Sequence, residues 1–246
     1  MLKGKCAVIT GVLQGIGRST LELFAQNGAD IFACAYAKTD EFEARCKKLS
    51  AQNRVEIIPI YCDMANNESI KEAAKEIQKA KKPIDSLINI AGINRDALFQ
   101  MITIDQLQES FQVNFFSQII FSQYIAKLAL RNGGGSIVFT SSISALDGNY
   151  GQLVYAASKA ALIAAAKTIS KELGSKNIRA NVVAPGVIKS AMTAALSPET
   201  VEEKLNKSAL KRIGETNEVA NLFMFLASDQ SAHITGQTIR IDGGIG

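Results

Sequence analysis

The chain has 246 residues, 47% of them hydrophobic, with 27 Lys and Arg against 23 Asp and Glu for a net charge of +4. That apolar content suits one large core in a single domain, and a basic excess this small and dispersed excludes a nucleic-acid-binding stripe. A single histidine, His233, excludes histidine triads and multi-histidine metal sites, so no metal is expected and His233 reads as structural.

In chain order, the apolar runs predict strands over 6–10, 30–35, 55–62, 86–90, 136–140, 179–184 and 238–241. Helical periods fall between them, at 16–27, 41–50, 68–79, 106–130, 153–174 and 216–228. Such alternation predicts a Rossmann-type, doubly wound parallel seven-stranded sheet with helices on both faces. Cys6, Cys34, Cys46 and Cys62 form no C-x-x-C pair, and three of them fall in predicted strands as small core residues, which suits a reducing cytoplasm. No uncharged apolar run reaches the roughly 18 residues of a membrane span. Lys3 and Lys5 lead straight into the first strand, so no signal peptide is expected.

The first strand runs into Gly11-Val-Leu-Gln-Gly15-Ile-Gly17 and then a helix. Glycines there let the backbone approach a pyrophosphate, and the helix N-terminus offers free N–H donors. The end of the second strand, Ala33-Cys-Ala-Tyr36-Ala-Lys38, carries no carboxylate to hold ribose hydroxyls, and Lys38 is basic. This favours NADP(H) over NAD(H). Further on, Tyr155 and Lys159 lie four residues apart on one helix face. An ammonium beside a phenol lowers the phenol's pKa from about 10, which makes Tyr155 an acid–base group for carbonyl reduction or alcohol oxidation. Ser142, after the fifth strand, falls at the same sheet edge, where its hydroxyl can hold a substrate oxygen as charge develops.

Over essentially its whole length, the chain resembles the short-chain dehydrogenase/reductase family. Thr10 to Gly17 is similar to the family's coenzyme turn, which implies cofactor contacts from Gly11, Leu13, Gln14, Gly15, Ile16 and Gly17. Asn89-Ile-Ala-Gly92 is similar to its Asn-Asn-Ala-Gly element, with Ile90 in place of the second asparagine. Tyr155-Ala-Ala-Ser-Lys159 matches Tyr-x-x-x-Lys at family spacing from Ser142. The resemblance implies a catalytic set of Asn114, Ser142, Tyr155 and Lys159, with Asn114 holding a water that relays protons from Lys159. It also implies that Lys159 and Tyr155 face the cofactor, with Tyr36, Lys38, Asp63, Met64, Asn89, Ala91 and Gly92. Asp63 would lie beside the adenine; its other reading is a helix cap. Pro185, Gly186, Ile188 and Ser190 resemble the loop that closes on nicotinamide. Gln14 stands where many NADPH-using relatives carry a basic residue.

Within the family, 92–98, 148–152, 184–188 and the ending at Asp242-Gly-Gly244 resemble 3-oxoacyl-[acyl-carrier-protein] reductases. The implied substrate is a carrier-linked acyl ketone, with acyl carrier protein as a partner. Gly133 falls where a carrier-docking arginine is often found, leaving Lys127, Arg131 and Lys176 as the basic residues nearby. A sugar, polyol or small secondary alcohol is the alternative substrate, and a non-catalytic dinucleotide sensor the alternative class. Residues 189–209 read as a substrate lid, and the helices after Gln106 and Leu153, with the last strand, as interfaces of a homotetramer.

Overall fold

The structure, a computed structural model, describes residues 1–189, 193, 202 and 205–245. Seven parallel strands form one sheet in the order β3-β2-β1-β4-β5-β6-β7. They are β1 (Cys6–Thr10), β2 (Asp30–Ala35), β3 (Ile57–Tyr61), β4 (Ser86–Asn89), β5 (Gly135–Thr140), β6 (Ile178–Pro185) and β7 (Thr238–Ile241). Numbering the described helices, α1 (Gly15–Gln26), α2 (Asp40–Asn53) and α8 (Thr216–Ala227) cover one face. The other face is covered by α3 (Asn67–Lys79), α5 (Ser117–Arg131) and α7 (Leu153–Leu173).

Strand alternation sorts the core into two halves. Val8, Phe32 and Ile60 face α3, α5 and α7, whereas Ile9, Ile31 and Ala33 face α1 and α8. Because both faces are covered, β1 and β2 are apolar and buried along nearly their whole length, whereas β7 at the edge is only half-buried and carries Arg240. All four cysteines are buried and unpaired on or beside the β1–β3 half of this core.

The predicted helix over 106–130 is broken into pieces. Thr103 caps α4 (Ile104–Phe111) in a reciprocal capping box with Gln106. A wide π turn (Gln112–Phe116) follows before α5 begins. Such a turn inserts one extra residue and re-aims the side chains at that level; here it carries Asn114. The short α6 (Ser144–Asp147) lies between β5 and α7.

Strand order reverses between β1 and β4, so the connections leaving them diverge to opposite faces and open a crevice at the C-terminal edge. The ends of β1, β2, β3, β4, β5 and β6 deliver Gly11, Tyr36, Asp63, Ala91, Ser142 and Gly186 to that one edge. Ser190 and most of the proposed lid over 189–209 lie outside the described residues.

Candidate active site and cofactor cradle

The glycine turn closes on its neighbours so tightly that side chains would not fit. A Cβ on Gly17 would stand 2.0 Å from the Gly11 carbonyl oxygen, and one on Gly11 would stand 2.9 Å from the Ala91 nitrogen. Thr10 fastens the same junction, accepting from the Ile90 and Ala91 N–H groups at 2.9 and 3.1 Å. Ile90 thus uses its backbone here, a contact that does not depend on its side chain. No side chain caps the N-terminus of α1, and no acidic residue sits in its first turn. Its N–H groups are left for an anion, as a dinucleotide's pyrophosphate requires. The residues therefore fit that group, and Gly15, Ile16 and Gly17 are the ones that would supply the donors.

At the adenosine end, Tyr36 is 74% exposed. Lys38 forms an ion pair with Glu43 at 3.2 Å, and the Tyr61 hydroxyl donates to the same carboxylate at 2.9 Å. Arg45, which the sequence reading missed, reaches from α2 to the Leu13 carbonyl at 3.0 Å and pairs with Glu41. Asp63 accepts from the Ala65 N–H at 2.8 Å, forming a turn, while Asn66 caps α3 itself. Met64 is buried, with its carbonyl accepting from Ser117. Asn89 is buried and donates to Ser122 at 3.0 Å, and Gln118 donates to the Ala91 carbonyl at 2.6 Å. Pro185 accepts from the Ile143 N–H at 3.1 Å, tying the loop after β6 to the loop after β5. Ile188 is buried in a bridge to Gly214.

The four predicted catalytic residues meet between β4, β5 and α7. Lys159 is 2% exposed and donates to the Thr140 carbonyl at 2.9 Å. A Cβ on Gly92 would stand 3.0 Å from its Nζ and 3.1 Å from Asn114 Oδ1, so a larger residue there would press on both side chains. The Asn114 amide is bound by protein atoms: it donates to the Ile93 carbonyl at 2.8 Å and to Ser158 at 3.0 Å, and accepts from the Ile93 N–H at 2.8 Å. Its contacts fix the strand-to-loop exit at Ile93. Ser142 accepts from the Ser144 N–H at 3.1 Å and lies close enough to the Tyr155 hydroxyl to favour its ionised form. Ser141 donates instead to the Lys159 carbonyl at 2.9 Å, which separates the two neighbouring serines by role.

With that geometry in place, similarity to known proteins becomes informative. The family profile described as enoyl-(acyl carrier protein) reductase matches residues 11–246. The chain belongs to the short-chain dehydrogenase/reductase family. The 3-oxoacyl-[acyl-carrier-protein] reductase of Thermotoga maritima is 38% identical over 246 residues, covering 99% of this chain and 98% of the relative. L-sorbose reductase from Gluconobacter frateurii, solved with NADPH and L-sorbose, superposes with a TM-score of 0.92 at 25% identity, over 99% of this chain and 97% of that one. A 7α-hydroxysteroid dehydrogenase solved with NADH gives 0.91 at 29% identity, over 99% and 94%. As a family member, the protein is an NAD(P)-dependent oxidoreductase.

One electrostatic expectation is corrected. Burial pushes the Tyr155 phenol above its ordinary pKa, the Ser142 hydrogen bond opposes that rise, and the Asp96 carboxylate adds to it. Lys159 does not pull it down: its Nζ lies 6.0 Å from the Tyr155 ring centre, and burial lowers its own pKa from 10.5 to about 8. Desolvation disfavours the charged form of both groups and is the largest influence on each. The phenol accordingly keeps its proton, the form needed to donate to a carbonyl.

The depressed lysine pKa has a stability consequence. Between about 8 and 10.5 the unfolded chain binds more protons at this position than the folded one, so stability rises with pH across that window. Below about 8 the cost of burying the charge is fully present. Lys159→Met is expected to gain thermal stability relative to the wild type below that pH and to lose the gain as pH rises through the window. Parallel melting curves for the two proteins at several pH values check this, and a constant difference across the window would contradict it.

Proposed function

We propose that this protein is a cytoplasmic, NADP(H)-dependent 3-oxoacyl-[acyl-carrier-protein] reductase that converts the 3-keto group to a secondary alcohol in fatty-acid synthesis. The observation that carries the reaction type is the convergence of Ser142, Tyr155, Lys159 and Asn114 at one edge of the sheet, since a dinucleotide sensor has no need of all four. The bound dinucleotide supplies the hydride. Ser142 holds the ketone oxygen by a hydrogen bond that strengthens as negative charge develops there. Tyr155, kept protonated by burial, donates the proton to that oxygen. Lys159, one helical turn on, would replenish it and hold the nicotinamide ribose, and Asn114 keeps the lysine's surroundings fixed.

For the substrate, support comes from the Thermotoga relative and from the mouth of the site. A groove of about 280 Å³ lies between the loops after β4 and before α7, lined by Ala97, Leu98, Phe99, Tyr150 and Leu153 among others. The Ala97 N–H donates to the Gly151 carbonyl at 2.9 Å and forms its floor. Phe99 is 77% and Tyr150 87% exposed, and no charged residue lines the groove. The lining is mixed: Leu98, Phe99 and Leu153 suit an acyl chain, while Gln100 and Asn149 offer hydrogen bonds to a polar group on the substrate. Lys127 and Arg131, one turn apart and exposed on α5, offer basic charge to an acidic carrier protein.

Assembly follows from uncovered apolar surface. Of the aromatic and aliphatic residues around α5, Phe121 and Ile125 are buried within the chain, but Phe116 is 49% and Ile120 40% exposed. The helical stretch Leu153–Lys176 is long and apolar enough to cross a membrane by length and composition, yet only 28% of its most apolar window is buried within the chain. Its exposed positions include Ala157 and Ala164, small enough for close helix packing. Pairing these helices across one two-fold axis, and β7 edges across another, gives a homotetramer.

Three outcomes test these readings. Purified protein given 3-oxoacyl thioesters, sugars and polyols with NADPH is expected to reduce the thioesters, and Tyr155→Phe to lose about 10²–10⁴ in rate while NADPH affinity stays within a few-fold. Reduction of polyols alone would move the substrate assignment, and full activity in the variant would remove Tyr155 from the chemistry. Lys38→Ala should weaken NADPH more than NADH, with an effect that shrinks as salt is added, because Lys38 must exchange Glu43 for the 2′-phosphate. Equal losses for the two cofactors would reject that role. Sedimentation at micromolar concentration is expected to give a tetramer; a monomer would refute both interfaces, and a dimer one of them.

A further inference from the structure

Arg240, on β7, uses its guanidinium to join segments that are far apart in the chain. Nη1 and Nη2 donate to the two oxygens of Asp147 at 2.9 and 2.7 Å. Nε donates to Asp242 at 2.7 Å, and Nη2 also donates to the Ile245 carbonyl at 2.7 Å. Asp147 closes α6, the helix whose first N–H, at Ser144, is held by the Ser142 hydroxyl oxygen. Asp242, its side chain only 8% exposed, accepts from the Gly244 N–H at 3.0 Å. It is packed against the loop after β6 so closely that a Cβ on Gly186 would stand 2.6 Å from its own Cβ. The next residue, Gly243, accepts from the Ser208 hydroxyl at 2.9 Å and from the Leu210 N–H at 3.0 Å.

One cation therefore holds three things together: the turn that carries Ser142, the loop after β6, and the segment 208–210 at the end of the proposed lid. Single exposed ion pairs contribute little, but this one is bidentate, is part of a network and rests on a buried carboxylate, which are the conditions under which geometry is enforced. Without the guanidinium, Asp147 and Asp242 would be left as like charges beside each other, pushing α6 away from the C-terminal tail. We propose that Arg240 is a positioning residue for Ser142: it clamps α6 to the C-terminal tail, so that the serine hydroxyl stays at the Tyr155 hydroxyl where the ketone oxygen must sit. The proposal rests on the catalytic reading of Ser142 and Tyr155 given above.

The test is steady-state reduction of an acetoacetyl thioester with NADPH by the wild type, Arg240→Met, Asp147→Asn, Ser142→Ala and the double variant Arg240→Met/Ser142→Ala, with a melting temperature for each. Displacing a reacting group by about 1 Å from a distance costs up to about 10²-fold, so Arg240→Met is expected to lower kcat by about tenfold or more. Asp147→Asn, which leaves the arginine its other two partners, should lose less in the same direction, and it carries the test should Arg240→Met not fold. In the Ser142→Ala background, Arg240→Met should cost less than about twofold further, because its effect runs through that serine. A folded Arg240→Met with wild-type kcat would overturn the proposal, as would losses that multiply in full in the double variant. Wild-type activity in Ser142→Ala, or no thioester reduction by the wild type, would instead break the reading on which the proposal rests.

Discussion

A lysine amine buried to 2% exposure is the constraint around which this site is arranged. Removing an ammonium from water is costly, and here one backbone carbonyl, Thr140, is its hydrogen-bond partner. Each neighbouring oddity answers to that placement. Gly92 packs against the amine so closely that a Cβ there would press on it. The helix preceding α5 widens into a π turn at the level where Asn114 must meet Ile93 and Ser158. A buried amine that is only partly inclined to hold its proton is a reservoir that a bound ligand's hydroxyls can tune, which an exposed lysine would not be.

The sheet supplies the rigidity that such an arrangement needs. Side chains whose positions matter come from the ends of β1, β4 and β5, from the π turn before α5 and from the first two turns of α7, not from long loops, and the strands beneath are covered by helices on both faces. Thr10 shows how little is left free: its hydroxyl oxygen takes two N–H groups from the segment after β4, so the glycine turn and the Asn89–Gly92 element behave as one piece. Cofactor cradle and catalytic residues are then held in a single frame.

Much of this was legible in the chain itself. The apolar runs located all seven strands, because a sheet covered on both faces demands largely hydrophobic strands, and the glycine turn and the Tyr155–Lys159 spacing pointed to residues that the fold brings to one edge of the sheet. What was not legible is instructive. Hydrophobic periodicity over 106–130 could not register one extra residue in a turn, so the π segment was read as straight helix. Spacing put Lys159 beside Tyr155, but only burial decides the direction of a pKa shift, and burial reversed the expected sign for the phenol. Arg45 and Arg240 act on partners 32 and 93 residues away, contacts that leave no local pattern in the sequence. Gln14 and Lys38 told only part of the cofactor story, because the cations near the adenosine end are already matched with carboxylates.

The four buried cysteines carry a practical consequence. Burial drives the thiols of Cys6 and Cys62 up to about 12 and that of Cys46 to about 11, and raises Cys34 well above the ordinary range. Thiolate is the reactive species, so alkylating reagents find almost nothing to attack in the folded chain. All four lie on β1, β2 or α2 or just after β3, on the dinucleotide side of the sheet. The rate at which they become labelled is thus a built-in clock for the opening of that half-domain, readable by mass without introducing any probe.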